Sequence, residues 1–385
     1  MAGRELDWKR LTEYLRRYLA QGWSWLREQP ARFRTRPAPY LLVGGGAFLV
    51  ATLFFSTFRT WDTAPRTRPA LPSSRPEVVA FYDRGYSDQD RGYPSLERRS
   101  QNFHTLSPLW YTALSNGDVV PNRIEEEVKD LARQRGLRLV VLVNKGPGYG
   151  MIADPGARQR LARGIRDIVM KEGYDGVNID FQPVPPEHRD NLTATVREIS
   201  RLLRPEGKTV AVSVMPKVEV HESVSGGYDY GGLAAVADYL VIMAYDRHRE
   251  GTPPGSVAPY DWVERNVQYA VSRIGPQKTV LGLASYGYDW PRGTAGGESV
   301  GLAEALSRAS VTGADVKWHD STRSSYFSYR SPRGMREVWV EGGDAAFHKA
   351  ALARKYKLHG VAVWRLGYDT DYYWRKLREG LGLTR

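Results

Sequence analysis

The sequence predicts an α/β protein built on a (β/α)8 TIM barrel, and three observations predict it. Eight short apolar runs rich in β-formers alternate with segments of helical period. About 310 residues follow a Pro-rich stretch, a length that suits one large barrel better than two ordinary domains. One of the eight runs also carries its polar residues on a single face near its carboxyl end, where such barrels place their chemistry.

The runs are Val78–Tyr82, Thr105–Ala113, Leu139–Val143, Gly176–Phe181, Thr209–Met215, Tyr239–Ala244, Val280–Tyr286 and Gly360–Trp364. Between them Glu125–Arg135, Ala157–Lys171, Arg189–Leu203, Asp261–Ile274 and Asp344–Lys355 are placed as crossover helices should be. The gap from Asp289 to Gly343 is too long for one helical crossover.

Ahead of the barrel, Pro39–Phe58 is a 20-residue run without charge, the length of one transmembrane helix. A cleaved signal peptide fits less well, because the charged region before the run is long and the run exceeds a usual signal core. Residues 1–38 form a basic segment in which Trp8, Leu11, Leu15, Tyr18, Gly22 and Trp25 recur at helical spacing. That pattern suits a helix on the inner membrane surface, a solvated helix or a partner-binding one. Residues 59–76 hold Pro65, Pro69, Pro72 and Pro76 and read as a semi-rigid linker, leaving 77–385 to the barrel. Four Arg lie close on each side of the apolar run, so charge does not orient it.

The formal charge of +12 divides into +5 on residues 1–38 and +3 on 39–76, leaving +4 for the barrel. Basic residues flanking an apolar run suit an anionic membrane, and no nucleic-acid partner is expected. The chain has no Cys, which places it in no redox compartment. Its seven His show no metal-ligand spacing, so neither a metal nor a cofactor is expected.

The run Asp175-Gly176-Val177-Asn178-Ile179-Asp180-Phe181-Gln182 carries the function. Side chains alternate along a strand, so Asn178, Asp180 and Gln182 share one face, and Val177, Ile179 and Phe181 the other. The run resembles the DGxxxDxE signature of glycoside hydrolase family 18, the chitinase-like family, with Gln182 where that signature ends in Glu. Met243-Ala244-Tyr245-Asp246 resembles the sixth-strand motif of the family, and Gly360 to Gly367 its eighth strand with a tryptophan floor. Met215-Pro216-Lys217, Pro253-Pro254-Gly255, Ala258-Pro259-Tyr260 and Gly287-Tyr288-Asp289-Trp290 resemble its bacterial spore-cortex and cell-wall N-acetylglucosaminidase branch.

The resemblance implies a small α+β insertion after strand 7, at about 290–343, with Val316–His319, Ser325–Arg330 and Glu337–Glu341 as its strands. It also implies substrate-assisted chemistry on N-acetylated sugars, in which the sugar's own acetamido oxygen attacks while the motif's Glu protonates the leaving oxygen. Asp180 then holds the acetamido N–H, Tyr245 steadies the acetamido oxygen, Asp246 lies beside it, and Trp364 is the floor. Asn178 and Tyr288 are further expected substrate contacts. A carboxamide at Gln182 cannot serve as the acid.

The reading that follows is a membrane-anchored protein binding GlcNAc-containing polysaccharide, peptidoglycan first, with hydrolysis lost or strongly impaired. A cell-wall polymer puts the barrel outside the membrane, so the expected location is the cell membrane with an extracytoplasmic barrel. A weak N-acetylglucosaminidase with a substitute acid, drawn from Asp246, Glu187 and Asp289, and a scaffold for a protein partner are the alternatives.

Overall fold

The structure, a computed structural model, describes residues 75–85 and 91–383. The basic segment 1–38, the apolar run 39–58 and all but the end of the linker lie outside the described residues. Among the described residues no helix is long and apolar enough to cross a membrane.

Eight parallel strands form the barrel: β1 (Glu77–Tyr82), β2 (Thr105–Ala113), β4 (Arg138–Lys145), β5 (Gly176–Asp180), β6 (Thr209–Val214), β7 (Tyr239–Ile242), β8 (Thr279–Ala284) and β14 (Gly360–Trp364). Each pairs with the next, and β14 pairs back onto β1, closing the sheet without a free edge. A short β3 (Val119–Pro121) adds antiparallel to β2. Both faces of the sheet are covered, so these strands read as continuous apolar runs. Val79, Phe81, Leu142, Ala211, Val241, Val280 and Ala362 fill the interior. The alternate residues, among them Val78, Val141, Val177, Ile179 and Val361, pack under the helices.

The outer layer comprises α1 (Gly92–Arg99), α2 (Glu126–Gln134), α3 (Pro155–Glu172), α4 (Arg189–Leu203), α5 (Tyr230–Val236), α6 (Tyr260–Ile274), α8 (Gly343–Lys355) and α9 (Asp371–Leu381). Local chemistry sets their ends. Asp154 accepts from the Ala157 N–H at 2.6 Å ahead of Pro155, and Gly173 closes α3 at φ +66°. Thr370 accepts from the Tyr373 N–H at 3.1 Å, and Gly382 closes α9 at φ +71°. The amino-terminal foot of the barrel is pinned by Glu77, which is 2% exposed. His359, Arg138 and Thr105 surround its carboxylate and hold its pKa down to about 2 against the opposing effect of burial.

The insertion is a five-stranded antiparallel sheet in the order β10 (Glu298–Gly301), β9 (Tyr286–Pro291), β13 (Gly334–Val340), β12 (Ser324–Ser331) and β11 (Lys317–His319). Its helix α7 (Leu302–Thr312) supplies Arg308 to Asp289. The sequence predicts Val280–Tyr286 as one strand and an insertion from about 290. The structure breaks that run at Ser285, whose N–H and hydroxyl both donate to the Trp364 carbonyl. The chain turns there, and Tyr286 already belongs to the second sheet.

Candidate active site

A cleft of about 170 Å3 opens at the carboxyl ends of the barrel strands, lined by Asp180, Gln182, Tyr245, Asp246 and Trp364, with Phe81, Ser213, Met243 and Tyr286. Five of the seven residues singled out from sequence therefore meet in one cavity. They arrive from the ends of three strands, β5, β7 and β14, or the turns just beyond them.

β5 delivers the first pair. Gly176 lets β5 approach β6 closely, since a Cβ there would lie 2.2 Å from the Thr209 carbonyl oxygen. Asn178 and Asp180 point inward, at 2% and 6% exposure, while Val177 and Ile179 pack outward. Asn178 lies below the cleft, exchanging hydrogen bonds with Ser213 Oγ at 3.1 and 3.3 Å, and supports the lining rather than joining it. Gln182 is exposed, and its Nε2 donates to Asp180 Oδ2 at 3.1 Å. Asp180 Oδ1 is buried with no hydrogen-bond partner. Burial raises the Asp180 pKa to about 6, and the Gln182 amide partly offsets the rise.

The turn after β7 supplies Tyr245 and Asp246. Gly282 on β8 leaves room for the tyrosine, since a Cβ there would lie 3.0 Å from Tyr245 Cε1. Burial holds the Tyr245 hydroxyl well above its ordinary pKa, so it stays protonated at neutral pH and can donate a hydrogen bond. Asp246 sits in the left-handed region at φ +61°. Its Oδ1 accepts from the Tyr286 hydroxyl at 2.6 Å and the Tyr288 hydroxyl at 3.1 Å. Burial raises its pKa, and the two tyrosine hydrogen bonds oppose that rise. Tyr288 thus acts on Asp246 from the wall and is absent from the lining. Trp364 ends β14, half-buried, with its ring 5.4 Å from that of Phe81. It gives the cleft an apolar floor.

The three candidate substitute acids separate cleanly. Asp289 is fully buried in the insertion, where Arg308, Arg336 and the Tyr329 hydroxyl bind its carboxylate. It is a structural anchor and lines no part of the cleft. Glu187 is exposed on a short 3-10 helix, also outside the lining. Asp246 alone of the three reaches the cavity. Sequence reasoning missed Tyr286, although the alternation Tyr286, Tyr288, Trp290 is a period-2 signal of a strand whose aromatic face looks one way.

Chemically, the arrangement offers an acceptor at Asp180, a hydroxyl donor at Tyr245, an apolar floor and an amide at the mouth. It suits a sugar ring bearing an amide substituent. Solved structures share this framework. A chitinase from Chromobacterium violaceum ATCC 12472 superposes with a TM-score of 0.74 at 27% identity, covering 80% of this chain and 100% of that one. YdhD of Bacillus subtilis (strain 168), named as a sporulation-specific glycosylase, is 30% identical over 292 residues, 71% of this chain and 69% of that protein. The cortical fragment-lytic enzyme of Bacillus anthracis is 26% identical over 242 residues, 61% of this chain but only 56% of that enzyme. The model of Glycosyl hydrolases family 18 matches residues 105–369, more than half of the sequence, and the chain belongs to that family.

Proposed function

We propose that this protein is a membrane-anchored family 18 member that holds GlcNAc-containing polysaccharide, peptidoglycan first, with hydrolysis lost or strongly impaired. One observation carries the reading: Asp180, Tyr245 and Trp364 meet in one cleft, while the side chain beside Asp180 is an amide, Gln182, that donates to it at 3.1 Å. A carboxamide has no proton to give near neutral pH, yet it keeps the size and reach of Glu and can hold a glycosidic oxygen. The unpartnered Asp180 Oδ1 offers the acceptor that an acetamido N–H needs. Relatives named for cortical-fragment lysis support the cell-wall polymer, and the uncharged run 39–58 supports the anchor.

A fractionation followed by a peptidoglycan pull-down tests both halves. The full chain is expected in membranes, and after detergent extraction on the glycan. Deleting residues 39–58 moves it to the soluble fraction without loss of glycan retention, and Trp364→Ala weakens retention at least about tenfold. A wild-type chain found in the soluble fraction contradicts the anchor, and a Trp364→Ala variant retained as well as wild type contradicts the sugar floor.

The binding has a defined pH dependence. An N–H donor stabilises carboxylate over carboxylic acid, so the bound Asp180 pKa lies below the free value of about 6. Affinity for GlcNAc oligomers therefore rises as pH increases through about 6 and levels off above it. Calorimetric titrations between pH 5 and 8 read this directly, and a flat or falling profile contradicts the role given to Asp180.

A second reading, slow hydrolysis with a substitute acid, is favoured only by Asp246, which lines the cleft with a pKa raised by burial. Residual turnover lost in Asp246→Asn with glycan affinity kept identifies it.

A further inference from the structure

The loop after β4 carries a feature that the sugar pocket does not use. Lys145 ends β4 on the outward side, in register with Val141 and Val143. The turn Gly146-Pro147-Gly148, with Gly148 at φ +79°, brings Tyr149 back over it. The Lys145 ammonium lies 4.6 Å from the centre of the Tyr149 ring. That ring is pinned, since its hydroxyl donates to the carbonyl oxygen of Pro183, the residue after Gln182, at 3.2 Å, and the His188 ring lies 4.8 Å away.

Among the described residues the cation has no counter-charge. Its hydrogen bond among the described residues is to the Gly146 carbonyl oxygen at 3.5 Å, the limit of such a contact, and no carboxylate pairs with it. Burial alone pushes its pKa down. Burial, and after it the charge of Glu187, raises the pKa of the Tyr149 hydroxyl, but Glu187 forms no pair with Lys145. Other half-buried or buried lysines in the fold are partnered: Lys129 by Glu126 and Glu172, Lys349 by Glu341, and Lys217 by the Ser225 carbonyl oxygen. A partly desolvated ammonium held on an aromatic ring is poised for an anion, because an incoming carboxylate restores the pairing that burial removed.

We propose that Lys145 and Tyr149 form a carboxylate subsite adjoining the Gln182 end of the cleft, which selects a GlcNAc polymer bearing carboxylates over a neutral one. This rests on the saccharide-binding reading above. Chitin is uncharged, whereas peptidoglycan carries lactyl-linked peptides with free carboxylates on alternate sugars, and that difference is what Lys145 reads.

The full chain in detergent is titrated with a neutral GlcNAc tetramer and with a peptidoglycan tetrasaccharide bearing free peptide carboxylates. Wild type is expected to prefer the charged glycan, and Lys145→Gln to lower the ratio of the two affinities about tenfold. Lys145→Arg keeps the preference, raising the salt concentration erodes it, and methyl esterification of the glycan carboxylates removes it from wild type. A ratio unchanged in Lys145→Gln, or unaffected by esterification, overturns the carboxylate subsite while leaving the sugar pocket standing. Wild type that binds neither glycan overturns the saccharide reading and the subsite with it.

Discussion

Gln182→Glu is expected to raise the rate of GlcNAc-oligomer cleavage by roughly 10²–10⁴-fold over wild type, the usual worth of a positioned general acid. The substitution is nearly isosteric and falls on an exposed side chain, so the fold should tolerate it. What changes is the partnership with Asp180. The Gln182 amide donates to Asp180 Oδ2 at 3.1 Å and favours its charged form. A carboxyl in the same place turns the contact into two acids about 3 Å apart, which share a proton because both cannot ionise cheaply. That shared proton is the one a leaving oxygen needs. Release of reducing ends measures the gain, and adding Asp180→Ala should remove it. A folded, glycan-binding Gln182→Glu protein no faster than wild type would show that more than this acid is missing.

Glu341→Ala is expected to destabilise the protein by about 3–5 kcal/mol, the cost of stranding a buried charge. Glu341 follows β13 and Lys349 lies on α8, each at 2% exposure. They form a direct ion pair, and Ser324 Oγ donates to Glu341 Oε1 at 2.8 Å. The pair ties the end of the insertion to the barrel layer, beside Gly282 and Ala284 of β8. Since the insertion also supplies Tyr286 and Tyr288 to Asp246, loosening this junction should weaken glycan binding as well. Urea unfolding measures the loss. The double variant Glu341→Met with Lys349→Met should recover most of it, because apolar replacement of both partners avoids the stranded charge. A single-variant loss below about 1 kcal/mol contradicts the buried-pair account.

The barrel was legible in the sequence because its strands are buried on both faces, which leaves near-continuous β-branched runs such as Leu139–Val143 and Thr209–Met215. The pocket was legible where a residue type is chemically conspicuous at a strand end, as with Asp180, Tyr245 and Trp364. Less readable were features set by tertiary contact. The corner at Ser285 depends on the Trp364 carbonyl, far away in sequence, so Tyr286 looked like the end of β8. The strand Glu298–Gly301 is short and half exposed, with almost no pattern of its own. Asp289 reads as a candidate acid in sequence, but Arg308, Arg336 and Tyr329 converge on it, and Asn178 reads as a ligand contact, but Ser213 takes up its amide.

The measurement that bears most directly on the account is a paired one on the wild-type full chain: calorimetric affinity for a GlcNAc tetramer, and release of reducing ends from the same sample over many hours. Measurable affinity without new reducing ends is the expected result. Wild-type turnover that survives Gln182→Ala and disappears in Asp246→Asn would contradict it, and would make Asp246 the acid of a working glycosidase.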